Sequence, residues 1–95
     1  MRNSLTKNWD ASEYLKNHED MVAYLDAAME EGDPQLITAV IGDIARAKGM
    51  ALVAKDTGLR RESLYKALSQ DGNPEFATVM KVIKSVGIHL RASVN

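Results

Sequence analysis

Cysteine is absent from this chain, which excludes a disulfide framework, a thiolate zinc site, an iron–sulfur cluster and a cysteine nucleophile. Apolar runs are short, well below the ~20 residues that span a bilayer. The segment from Met1 to Asp10 has no apolar stretch of the kind a secretory signal carries. A soluble, cytoplasmic protein with no membrane partner is therefore expected. Histidine is scarce, with only His18 and His89. His18-Glu19 begins like a zincin motif, but Val22 stands where the second histidine belongs. There is no glycine-rich phosphate loop, no Ser-His-Asp set and no carboxylate pair with an identifiable pocket. The parts of an enzyme are missing, and neither a cofactor nor a metal is expected.

What is present suits one small domain: 95 residues, 45% of them apolar. A chain of this size buries only about 60–65% of its unfolded surface, so dimerisation would help it. The net charge of −1 argues against a uniformly basic nucleic-acid binder. It hides an asymmetry. Residues 1–49 carry five Lys/Arg and nine Asp/Glu, whereas residues 50–95 carry seven Lys/Arg and four Asp/Glu. This implies either two different surfaces or ordinary scatter.

The apolar pattern reads as helices with short connections. Asp10 and Glu13 have the spacing of a capping box, predicting a short helix with Tyr14 and Leu15 that ends near Asn17. Met21, Val22, Leu25, Ala28 and Met29 mark one face of a second helix, from about Glu19 to Glu31, stopped by Gly32. Asp33-Pro34 is a start signal for a third, which carries Leu36, Ile37, Val40, Ile41 and Ile44 and stops at Lys48-Gly49. Two short helices surround Gly58. After the turn Asp71-Gly72-Asn73-Pro74, a second cap-plus-proline start, comes a helix with Phe76, Val79, Val82, Ile83 and Val86, ending at Gly87. From Ile88 the period changes to two: Ile88, Leu90, Ala92 and Val94 alternate with His89, Arg91 and Ser93. That predicts a short strand over 88–95, which must pair with something, most simply its copy in a dimer. The fold class is all-α, a five- to six-helix bundle with a short C-terminal strand. The predicted core is Val40, Ile41, Ile44, Leu52, Val53, Leu64, Leu68, Phe76, Val79 and Ile83.

The informative segment runs from Met50 to Ser69. A helix-turn-helix needs a small residue where its two helices cross, and Ala54 meets that need. Four residues on it needs one tolerant of positive φ, and Gly58 meets that. Val53, Leu59, Leu64 and Ala67 fill inward positions, and Thr57 is a polar residue where an apolar one is usual. The outward face of the second helix offers Arg60, Arg61, Glu62, Ser63, Tyr65 and Lys66. A plain helical hairpin with a charged, solvated face is the bland alternative. Arg61 has the reach to read guanine or to hold phosphate. Glu62 can accept from cytosine N4 or support the N-terminus of its own helix. Lys66 suits a base or a phosphate, Tyr65 a phosphate or packing, and Lys55 of the first helix a phosphate. His89 lies on the outward face of the expected strand. Trp9 either staples onto a neighbouring helix or anchors a partner.

These residues carry a resemblance. The segment from Met50 to Ser69 looks like the helix-turn-helix of the Cro/repressor class. About 80 residues, from Asp10 to Leu90, resemble the probable addiction-module antidotes, the HigA-like antitoxins. The most specific runs are Glu31-Gly32-Asp33-Pro34, Gly42-Asp43-Ile44-Ala45-Arg46-Ala47 and Gly72-Asn73-Pro74-Glu75-Phe76-Ala77-Thr78. Where the family commonly opens the second helix with serine, this chain has Arg60, losing a hydroxyl cap and gaining a cation. The resemblance implies a type II antitoxin that represses its own operon as a homodimer on operator DNA. It also implies a small basic toxin partner resembling RelE-type messenger-RNA endonucleases. Residues 1–33 would then be an acidic toxin-contact segment, with Asp20, Asp26 and Glu30 as candidates, and residues 34–87 the DNA-binding core. The 88–95 strand would be a dimer contact. A stand-alone repressor and a helical protein-binding adaptor are the alternatives.

Overall fold

A computed structural model of the chain describes residues 11–94. Trp9 and Asp10, and with Asp10 the expected capping box, lie outside the described residues. The short N-terminal helix is a single 3-10 turn, Ala11–Tyr14, followed by the buried Leu15.

Five α-helices follow. The first, α1 (His18–Glu31), is opened by Asn17. Asn17 Oδ1 accepts the Asp20 N–H at 2.9 Å, and Asp20 Oδ2 accepts the Lys16 N–H at 3.1 Å. This is the reciprocal logic of a capping box, seven residues downstream of the expected one. Met21, Leu25 and Ala28 are buried. Val22 and Met29 are exposed, because α1 packs mainly on one neighbour and its apolar arc is wider than that contact. Gly32, at φ 74°, ends α1. Asp33 Oδ1 then accepts the Gln35 N–H at 3.1 Å, with Pro34 in the first turn of α2 (Pro34–Lys48).

Gly49 breaks the chain between α2 and α3 (Met50–Thr57), and α4 (Arg61–Ala67) and α5 (Phe76–Ser85) complete the set. The hub is α2, against which α1, α3, α5 and the 3-10 turn all pack. Its Val40, Ile41, Ile44 and Ala45 meet Val53, Leu64, Leu68, Val82, Ile83 and Val86 in one core. Burying a branched aliphatic side chain of this kind contributes about 1.5–3 kcal/mol. Polar ties lie around the core. Tyr24 Oη donates to Asp43 Oδ2 at 2.7 Å, joining α1 to α2, and Asp43 Oδ1 accepts from Arg46. His18 Nε2 donates to the Val86 carbonyl at 3.1 Å, and Ser85 Oγ to Asp56 Oδ2 at 3.0 Å.

Some expectations need correction. Leu52 and Phe76 are exposed, not core. On α3 the inward side is taken by Met50, Val53 and Ala54, which turns Leu52 outward. Phe76 is on the apolar stripe of α5 but is its first residue, beyond the edge of the core, and is 74% exposed. Val79 is only half-buried. The cap-plus-proline start at Asn73-Pro74 is displaced: α5 begins at Phe76 after Glu75, which makes no side-chain cap bond. The expected strand is absent among the described residues. Residues 88–94 have no regular structure, because no second strand among the described residues lies alongside to share a hydrogen-bond ladder.

Candidate nucleic-acid interface

The turn between α3 and α4 is built around one carbonyl. Gly58 N–H and Leu59 N–H both donate to Ala54 O, at 2.9 and 3.2 Å. Gly58 has φ 75° and ψ 16°, the left-handed conformation that a side chain at Cβ disfavours. Thr57 keeps its hydroxyl satisfied within the same turn. Its Oγ1 donates to Ala54 O and accepts the Leu59 N–H, each at 3.3 Å. That accounts for a polar residue at a half-buried position. Ala54 is buried and Leu59 half-buried, as the crossing of two close helices requires.

Arg60 is the N-cap of α4, with extended backbone and no side-chain cap bond. Within α4 only Leu64 is buried, at 1% exposure, and Leu68 just beyond the helix is buried as well. Leu64 and Leu68, with the half-buried Ala67 between them, therefore hold a helix whose other side chains face solvent. Arg60, Arg61, Glu62, Ser63, Tyr65 and Lys66 are all exposed, and so is Lys55 on α3. Among the described residues the one ion pair is Arg46–Asp43, so the cations of α3 and α4 are not neutralised within the fold. Glu62, in the first turn of α4, favours that helix end electrostatically. Four cations on two adjoining short helices can hold phosphate, and an arginine in a first turn can read a base edge.

Two glycines that lie in the specific runs of the sequence, Gly42 and Gly72, set the position of α4. A Cβ on Gly42 would lie 2.5 Å from the Leu68 carbonyl oxygen, and one on Gly72 2.1 Å from that of Ala67. The backbone at the end of α4 thus rests against α2 on one side and against its own following loop on the other. Neither glycine has the positive φ that punctuation would demand, so only the tertiary contact explains them.

The acidic side of the molecule is α1, which carries Glu19, Asp20, Asp26, Glu30 and Glu31 with no Lys or Arg. Asp26 and Glu30 are exposed. Asp20 is engaged in the helix cap and partly buried. Among the described residues no cluster of three or more His, Cys, Asp or Glu could hold a metal, and no helix is long and apolar enough to cross a membrane.

No solved structure gives a significant match to the chain. An uncharacterized protein of Haemophilus influenzae is 46% identical over 85 residues, 90% of this chain and 88% of the relative. The family model described as probable addiction module antidote protein matches residues 5–94. The described helices and the turns that join them all lie inside that match, and this chain belongs to the family of probable addiction module antidote proteins.

Proposed function

We propose that this protein is the antitoxin of a HigA-like type II module. In this reading α3 and α4 form a Cro/repressor-type helix-turn-helix, with α4 as the recognition helix on operator DNA. The observation that carries it is the unpaired, exposed set Lys55, Arg60, Arg61 and Lys66, presented by helices fixed through Ala54, Gly58 and Leu64. A helix of seven residues in which only Leu64 is buried presents most of its side chains outward. It suits an edge inserted into a major groove. The antidote family supports the antitoxin role. The partner would be a small basic toxin resembling RelE-type endonucleases, met by Asp26 and Glu30, with Asp20 acting through the α1 cap.

Operator binding in this reading takes a homodimer, whose two recognition helices lie about 34 Å apart on one face of the duplex. Residues 89–94 favour a dimer contact, because no backbone hydrogen bond joins them to any described residue and Val94 is 99% exposed. Pairing with the same segment of a second copy would satisfy both. The test is co-expression with the adjoining small reading frame, followed by co-purification, growth rescue and a gel shift on the promoter upstream of the pair. A complex that rescues growth and retards that promoter is expected. A protein that neither rescues growth nor retards the promoter would overturn the proposal.

A further inference from the structure

The outward side of α1 is not the plain polar surface that a peripheral helix usually presents. Val22 and Met29 are 49% and 42% exposed there. Seven residues apart, they lie on one stripe about 10 Å long. Ala23 and Asp26 lie between them, and Glu19 and Glu30 flank the stripe, all exposed. The stripe forms one wall of a shallow groove. Val22, Asp26 and Met29 face Ile88, Leu90 and Arg91 of the C-terminal segment across it.

The charges of the groove select among occupants. A second copy of α1 would bring Glu19, Asp26 and Glu30 against their own kind, and nucleic acid would meet the same repulsion. A cationic partner meets net attraction instead: α1 holds no Lys or Arg, and Arg91 across the groove offsets only one of the three carboxylates Glu19, Asp26 and Glu30. The apolar floor asks for apolar side chains one helical turn or two apart, which a helix supplies at i, i+3 or i+4, and i+7. From the apolar stripe, its acidic rim and the groove beside it, we propose that this surface seats a basic amphipathic helix of the toxin. Val22 and Met29 take its apolar ridge, and Asp26 and Glu30 take its flanking Lys or Arg. The inference rests on the antitoxin reading for who the partner is, and adds which surface and which chemistry join the two.

Two double variants separate the contributions. Val22→Gln with Met29→Gln removes the apolar anchors and keeps the charge. Asp26→Asn with Glu30→Gln removes the charge and nearly keeps the shape. The probe is the purified product of the adjoining small basic reading frame, titrated by surface plasmon resonance against the full-length antitoxin at several salt concentrations. Each pair should raise Kd by about tenfold or more. The amide pair should act mainly through a slower association that loses its salt dependence, and the glutamine pair through a faster dissociation that keeps it. Thermal melting and operator binding of both variants should match the parent. Parent-like Kd for both would overturn the groove while leaving the antitoxin reading intact. A parent protein that fails to bind the toxin would overturn both. Loss of the homodimer in the glutamine pair, with toxin affinity kept, would reassign the groove to a second copy and overturn the proposal.

Discussion

Arg60 is a cation where a helix would rather have a hydroxyl. As the N-cap of α4 it makes no side-chain hydrogen bond, so the amides at that helix start lack the partner a serine would supply. Arg60→Ser should therefore stabilise the fold, by about 0.5–1 kcal/mol in chemical denaturation. The same change should weaken binding to operator and random duplex alike, lowering the salt slope by about one unit. Arg61 is one residue further into the helix and has no partner to lose. Arg61→Ala should cost about 1–3 kcal/mol on operator and much less on scrambled DNA, read by titrating both duplexes. Equal losses on the two would make Arg61 a phosphate clamp. Gly42 is constrained for a different reason: its neighbour is the Leu68 carbonyl oxygen, a backbone atom that cannot rotate away. Gly42→Ala should destabilise by about 1–3 kcal/mol and shift α4, so operator affinity should fall together with the melting temperature.

Among the helices, α1 separates the residues that fold it from those that the proposed toxin contact would use. The inner face of α1 is core, and its start is held by Asn17 and Asp20. Asp26 and Glu30 have no such structural duty among the described contacts. Asp26→Lys with Glu30→Lys should therefore leave the melting temperature near that of the parent while slowing association with a basic toxin. Asp20→Lys should lower the melting temperature instead, through loss of a cap worth about 1 kcal/mol. Circular dichroism melts beside association kinetics would separate the two. If all three reversals lower stability equally, α1 is a folding element whose charges have no separate role.

For the whole molecule, the C-terminal segment combines a part in the core with the proposed dimer contact. Ile88 is buried, its N–H donates to the Ile83 carbonyl at 3.1 Å, and Leu90 packs against the core. Removing 88–95 would damage the fold as well as any dimer contact. Ending the chain after Leu90 removes only exposed residues among those described. That truncation should keep the helical signal and the melting temperature of the monomer. It should also shift sedimentation toward monomer and weaken operator binding. An unchanged dimer would place the contact on another surface.

The order of the helices and most of their ends follow from local sequence alone. Those features depend on neighbours along the chain: Asp33 and Pro34 opening α2, Gly32 and Gly58 leaving α1 and α3 at positive φ, and the period of Val79, Val82 and Ile83 in α5, continued by Val86 at its C-cap. The exposure of Lys66 in α4 was legible for the same reason, since a helix with Leu64 inward turns the residue two positions on away from the core. Contacts between distant segments were decided only by the tertiary structure. Periodicity marks which residues share a stripe and says nothing of how far a neighbour extends over it. Phe76 and Leu52 were thus expected in the core and are exposed, and Val22 and Met29 form an outer surface. Gly42, Gly72, the Tyr24–Asp43 bond and the His18–Val86 bond have meaning only once helices far apart in sequence touch. The terminal alternation from Ile88 to Val94 could announce a strand but could not form one, because a strand takes its hydrogen bonds from a partner strand, and no other described segment of this chain supplies one.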